Sequence, residues 1–160
     1  MVIVLVGIVF AIGGILLSQF FDSYFAATNI SEADWQGKVA FERMAREIRL
    51  VRSNTSTDLD FTSGTQVRFT DMYGNNVCFY QDAVNSRLMR SADGPTTACG
   101  TTNPQVLADN VSSLGFTYWD KNAVTAVSVT GVYYITVAVT VSHDVYSGSF
   151  RTNVRPRNFF

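Results

Sequence analysis

Residues 35–53 read WQGKVAFERMAREIRLVRS. Phe41, Met44, Ala45, Ile48 and Val51 fall at i, i+3, i+4, i+7 and i+10, which is one helical face. Lys38, Glu42, Arg43, Arg46, Glu47 and Arg49 lie mostly elsewhere on the wheel. The pattern predicts an amphipathic helix whose apolar stripe needs a core to cover it. Glu42 precedes Arg46 by four residues, the favourable order for a surface pair. Asn54, Thr55, Ser56 and Thr57 end the helix, because polar side chains of this kind compete with its backbone bonds. No proline occurs before Pro95, so the helix is free to extend toward the N-terminus. Ser31 followed by Asp34 resembles a capping box and offers a break near residues 29–31. The choice is one long helix with a possible kink, or two helices.

Upstream, residues 1–17 read MVIVLVGIVFAIGGILL, followed by Ser18, Gln19, Phe20 and Phe21. The first 21 residues carry no charge, and Asp22 is the first. At about 1.5 Å per residue such a helix spans roughly 30 Å, the hydrocarbon thickness of a bilayer. It is apolar on every side, unlike an amphipathic surface helix. A cleaved signal peptide would want a positive start, yet Val2 follows Met1 directly. A plain membrane anchor is a second reading. A helix that lives first in a membrane and later in a protein filament is the third. Gly7, Gly13 and Gly14 suit close helix approach in lipid, although membrane helices also simply tolerate glycine.

Downstream, the pattern changes to period two with turn punctuation. Strands are expected at residues 66–70, 77–81, 87–90, 114–119, 132–141 and around 150–154, with a Gly/Pro/Thr-rich loop over 91–105. In the clearest of these, Ile135, Val137, Val139 and Val141 face one way and Thr136, Ala138 and Thr140 the other. Their spacing favours antiparallel pairing. The expected class is α+β: a long N-terminal helix, hydrophobic then amphipathic, packed on a small antiparallel β-sheet. Residues 1–21 form the transmembrane or filament-core half of the helix, 22–54 its amphipathic half, and 55–160 the β domain.

Hydrophobic residues make up 47% of the 160 and charged residues 16%. That apolar balance excludes global disorder. Residues 22–54 hold five acids and five bases, and residues 55–160 hold eight and seven. Neither part has the electrostatic footprint of nucleic-acid binding. Cys78 and Cys99 have no CxxC spacing and no neighbouring histidine, which argues against zinc. In an exported protein they read as one disulfide closing a loop of roughly twenty residues, worth about 3 kcal/mol, with two free buried thiols as the alternative.

Enzyme readings are poor. His143 is the only histidine, placed beside Asp144 at an expected strand end, and no nucleotide-binding glycine motif occurs. Thr57, Asp58 and Asp60 could mimic part of a calcium loop, but a solvated loop is the better reading. Trp35 and Trp119 are expected in the core. Arg151, Arg155 and Arg157 form a basic tail read as a solvated strand face, or as a contact to an acidic neighbour or DNA. Phe159 and Phe160 could tuck under the sheet or meet a partner.

Four segments together carry a resemblance: MVIVLVGIVFAIGG at 1–14, WQGKVAFERMAREIRLVRS at 35–53, LADNVSSLGFTYWD at 107–120 and SFRTNVRPRN at 149–158. They resemble the type IV pilins and the pseudopilins of type II secretion. The second and third look like minor pilins and the J-type pseudopilin. The ending NVRPRN and the Trp-Gln-Gly start look most like the O-type minor pilin of the mannose-sensitive haemagglutinin (MSHA) pilus. The family's processed end, a Phe-Thr-Leu-x-Glu stretch after a cleaved glycine, is absent here. Aligning the Gly7–Ile8 step with the family places several mature residues before Met1, which would then be internal.

The resemblance implies a non-catalytic structural subunit with no cofactor and no metal. It implies a minor pilin that helps start or cap a type IV pilus. The alternatives are a minor pseudopilin, or a membrane-anchored periplasmic binding or adhesin domain that does not polymerise. Val2, Ile3, Leu5, Gly7, Ile8, Phe10, Gly13, Gly14, Leu16 and Leu17 would then serve the membrane and assembly. Phe41, Met44, Ala45, Ile48 and Val51 would seat the helix on the sheet, and Cys78 with Cys99 would pin the fold. Implied partners are other major and minor pilins or pseudopilins, the inner-membrane assembly platform, inner-membrane lipid, and prepilin peptidase if a leader precedes the chain; no nucleic acid is expected. The implied location is the bacterial inner membrane, single-pass, with the C-terminal domain in the periplasm, and then the pilus outside the cell.

Overall fold

A computed structural model describes the backbone of residues 2–61, 63–143 and 146–159, and among these the side chains of all but 2–12, 29, 30 and 33. The chain divides into two compact units, Met1–Glu32 and Ala33–Phe160. The architecture is α+β. Helix α1 (Val2–Ile48) is followed by β1 (Leu59–Asp60), β2 (Gln66–Thr70), β3 (Asn76–Asp82), β4 (Arg87–Ser91), β5 (Gln105–Ala108) and β6 (Val111–Trp119). A 3-10 turn (Val129–Gly131) then leads to β7 (Tyr134–His143) and β8 (Tyr146–Val154).

The strands form two antiparallel meanders rather than the single sheet expected. The first has five strands in the order β1-β2-β3-β4-β5, and the second has three in the order β6-β7-β8. The junction explains the split. The β4–β5 ladder shifts register between Leu88 and Met89, Asn110 takes a left-handed φ of 59°, and the β6–β7 ladder shifts again between Val111 and Ser113. Asparagine tolerates that conformation better than most residues. Alternation tells a strand which face to bury, not which sheet to join.

β1 and β5 were absent from the expected strands, being two and four residues long, too short to show a period. The remaining strands lie within a few residues of the expected limits. Ile135, Val137, Val139 and Val141 are buried, while Ala138 and Thr140 are half-buried on the opposite face. Thr136 departs from that pattern: it is buried on the outer side, beneath Trp119 and Asn153, to which it is hydrogen-bonded.

One core joins the second unit of α1 to both sheets. Ala40, Met44, Ala45 and Ile48 enter it from the helix, with Phe69, Phe79 and Leu88 from the first sheet and Ile135, Val137 and Val154 from the second. Gly37 continues the same stripe one turn earlier, and it is buried because a Cβ there would sit 2.6 Å from Val141 Cγ2 and 3.3 Å from the Phe150 ring. Val51 is fully buried but lies beyond the helix, where it bridges to Asp71.

Asparagine and aspartate organise the hairpins by accepting bonds from the turn they begin. Asp71 accepts from Tyr73 N at 2.9 Å and Asn75 N at 2.8 Å. Asp82 accepts from Val84 N at 3.1 Å and Asn85 Nδ2 at 2.7 Å. Asp120 accepts from Asn122 N at 2.8 Å and Val124 N at 2.9 Å.

Candidate functional site

In the first unit the described side chains are those of residues 13–28, 31 and 32, and all are exposed. Leu16 and Leu17 are 61% and 59% exposed, and no atom lies within 4 Å of a Cβ built on Gly13 or Gly14. Phe20, Phe21, Tyr24 and Phe25 form an aromatic series along the helix, with ring centres 5.9–6.5 Å apart in successive pairs. Ser18 and Thr28 return their hydroxyls to the carbonyls of Ile15 and Tyr24, at 2.9 Å each, so neither needs a partner outside the helix. Val2, Ile3, Leu5, Gly7, Ile8 and Phe10 belong to the helix, but their side chains lie outside the described residues. Among the described residues, no helix is long and apolar enough to cross a membrane. The surface these side chains offer is mainly apolar and aromatic, with Asp22 and Glu32 as its carboxylates among the described residues.

In the second unit the helix stripe is covered. Met44 and Ile48 are fully buried, Ala45 is nearly so, and Phe41 is half-buried with its ring 5.9 Å from that of Phe150. Trp35 is 67% exposed, contrary to the core position expected, because the stripe runs through Gly37, Ala40 and Phe41 and leaves residue 35 outside it. Glu42 and Arg46 do not form an ion pair; the pair on this helix is Arg43–Glu47 at 2.9 Å. Arg90 of β4 holds the other oxygen of Glu47, also at 2.9 Å, and so ties the helix to the first sheet.

Cys78 and Cys99 form a disulfide with Cα atoms 5.8 Å apart. The loop it closes has three further anchors. Asp93 is buried and accepts bonds from the Thr101 hydroxyl, from Thr101 N at 3.0 Å and from Thr102 N at 3.4 Å. Burial pulls its pKa up, but the bonds from Ser91, Thr101 and Thr102 outweigh that and hold the carboxyl well below the usual carboxylate range. Arg68 donates to Thr97 O at 2.8 Å. Gly100 combines a φ of 86° with a position where a Cβ would lie 2.8 Å from Tyr80 Oη, so the turn takes glycine on two counts.

Asp58 and Asp60 are not solvated loop carboxylates. Asp58 is buried against Arg52 and Ser53, and Arg52 holds its pKa down. Asp60 pairs with Arg68 across the β1–β2 ladder. Each acid is neutralised by an arginine instead of being offered to a cation. Among the described residues no group of three or more His, Cys, Asp and Glu is placed to hold a metal ion. His143 closes β7 half-buried, and Asp144 lies outside the described residues.

The second sheet carries two surface features that sequence reasoning missed. On its outer face Trp119 Nε1 donates to Thr136 Oγ1 at 2.8 Å, and Thr136 donates to Asn153 Oδ1 at 2.6 Å. The Trp119 and Tyr134 rings stack at 6.4 Å, and the Arg155 guanidinium sits 4.1 Å from the centre of the Tyr133 ring. Beside α1 lies an open groove of about 410 Å³, lined by Phe41, Glu42, Ala45, Arg46, Arg49 and Thr152. Its lining comes from opposite ends of the chain, so no local pattern announces it. The tail folds back under this end: Phe159 is buried, Arg157 N donates to Arg49 O at 3.1 Å, and Asn158 Nδ2 donates to Val51 O at 3.3 Å.

No protein-family model matches the chain, and no curated protein matches it.

Proposed function

We propose that this chain is a minor pilin, a non-catalytic subunit that takes part in initiation or tip formation of a type IV pilus of the MSHA kind. The observation that carries the reading is the opposite fate of two apolar surfaces on α1. The stripe from Gly37 to Ile48 is covered by the chain's own sheets, whereas Ile15, Leu16, Leu17, Phe20, Phe21, Tyr24 and Phe25 are bare. Removing each such side chain from water is worth about 1.5–3 kcal/mol, so the bare set strongly favours a covered state. Inner-membrane lipid covers it before assembly, and the helices of neighbouring pilins cover it afterwards. The β domain stays outside the membrane and selects neighbours. The work of extraction is done by an assembly platform and by energy supplied across the membrane. The likeness of residues 1–14, 35–53, 107–120 and 149–158 to the type IV pilin and pseudopilin family supports the same reading.

The test is the intact mass of the N-terminal peptide, from protein taken out of the host's membrane and sheared-filament fractions. A methylated phenylalanine upstream of Met1, recovered with sheared filaments, is the expected result. The same processed end, absent from filaments and dependent on a secretion machine, would make the chain a pseudopilin instead. A terminus at Met1 confined to the membrane would leave an anchored binding domain and overturn assembly. A terminus near Ala27 would mean a cleaved signal peptide and a soluble exported domain.

A further inference from the structure

β8 is an edge strand that the fold leaves open. It pairs with β7 through nine consecutive register positions without a bulge, and among the described residues no strand flanks its other side. The other edges are short or covered. β1 has two residues, and β5 has four across a register shift. Loops occupy the outer edge of β6: Phe116 N donates to Gly64 O at 2.7 Å, Val111 N to Ser86 O at 2.8 Å, and Ala126 N to Tyr118 O at 2.9 Å. Proteins guard open edges with prolines, bulges or inward charges, because a row of free N–H and C=O groups templates another strand. Between Tyr146 and Val154 there is no proline, and the single charge, Arg151, is exposed on the outer face.

The groove beside this edge is cationic. Arg46 and Arg49 line it from α1 beside the single carboxylate of Glu42, with Thr152 from β8, so its arginines outnumber its acids two to one. Among the described residues, the guanidiniums of Arg46, Arg49, Arg151 and Arg157 have no carboxylate or hydrogen-bond partner. Arg43, Arg52, Arg68, Arg87 and Arg90 each have a carboxylate. The unpaired arginines are thus Arg151 on β8, Arg46 and Arg49 at the end of α1 beside it, and Arg157 in the tail.

We infer that β8 accepts an extended acidic segment of a partner protein as a fourth strand of its sheet. Main-chain bonds to the free edge supply affinity, and alternate side chains supply specificity. On the inner side the guest strand covers Phe41 and Ala45 and brings its carboxylates to Arg46 and Arg49. On the outer side a carboxylate stands beside Arg151. A second copy of β8 fits less well, because it would bring the unpaired arginines of two chains together, and like charges across strands repel. A nucleic acid would match the charge but leave the edge amides unpaired. The inference stands on the edge and the arginines, and holds whether or not the chain assembles into a pilus.

The test uses the full chain in detergent and a synthetic peptide of about nine residues, a common strand length, alternating aspartate with valine and threonine. Its controls are the same peptide with lysine for aspartate, the same peptide N-methylated at alternate amides, and a short oligodeoxynucleotide of equal charge. The expected result is binding of the aspartate peptide with slowed amide hydrogen exchange along Ser147–Asn153. Arg46→Gln with Arg49→Gln, both exposed, should leave the unfolding temperature unchanged and weaken the peptide about tenfold. The N-methylated and lysine peptides should bind far more weakly. Equal binding of either control, protection elsewhere than β8, preference for the oligonucleotide, or no binding of the aspartate peptide near millimolar concentration would each overturn the inference.

Discussion

The two sheets are held by different means. The first is built of strands of two to seven residues and is stitched by polar links: a disulfide, the buried Asp93, and ion pairs of Arg68 with Asp60 and Arg87 with Asp109. The second is built of strands of nine, ten and nine residues, and none of the five arginine–carboxylate pairs described above involves them. Its central strand β7 carries a long alternation of β-branched side chains that packs on its own. Short strands bury too little to set their own loops and so need local staples. Long strands do not, which leaves Arg151 on β8 available to a partner.

The largest test of this contrast removes the apolar base that both sheets share. Phe79→Ala empties a fully buried site packed on Phe69 and is expected to cost about 3–5 kcal/mol, read by thermal unfolding of the full chain in detergent. Next, Cys78→Ser with Cys99→Ser should cost about 3 kcal/mol in the chain-entropy account. Hydrogen exchange should speed up first in residues 91–105, with β6–β8 still protected; simultaneous loss in both sheets would break the comparison.

Asp93→Asn should cost about 2 kcal/mol, the range for bonds to a charged group. The same site sets a pH dependence. Because the folded carboxyl titrates below its unfolded value of about 4, its stabilisation is present above that pH and fades as pH falls further. A urea titration series should therefore show the parent losing stability below about pH 4 and the asparagine variant losing less. Gly37→Ala should cost about 1–2 kcal/mol, since overpacking against Val141 exceeds the helix-propensity gain. A stabilised variant would mean that the helix stands off the second sheet. Smallest is Arg87→Gln, which breaks an ion pair with both side chains about half exposed and should shift stability by less than about 1 kcal/mol.

Much of the fold was legible because it repeats. Ile135 to Val141 alternate over a run long enough to show the period, and Met44 to Ile48 recur at helical spacing. Polar turns punctuated that alternation, and in two of them Asp71 and Asp120 accept the backbone bonds that shape the hairpin. Leu59–Asp60 and Gln105–Ala108 were illegible because so few residues show no period. The division into two sheets turned on Asn110, a single residue whose backbone conformation no spacing records. Trp35 was expected in the core on the strength of its size, but position on the wheel outranked size. The open edge was beyond reach for another reason: it is defined by what does not pair with β8, and by Arg46 and Thr152 meeting from opposite ends of the chain.

The end of α1 is also where force would enter the β domain. Residues 49–52 are gripped from two directions. Met72 N donates to Leu50 O at 2.8 Å and Arg52 N to Thr70 O at 2.9 Å on one side. Arg157 N and Asn158 Nδ2 hold Arg49 O and Val51 O on the other. A pull on the helix would load these bonds together, not peel them one after another. Such an arrangement would behave as a mechanical clamp, spreading tension between the end of β2 and the tail before any core side chain has to move.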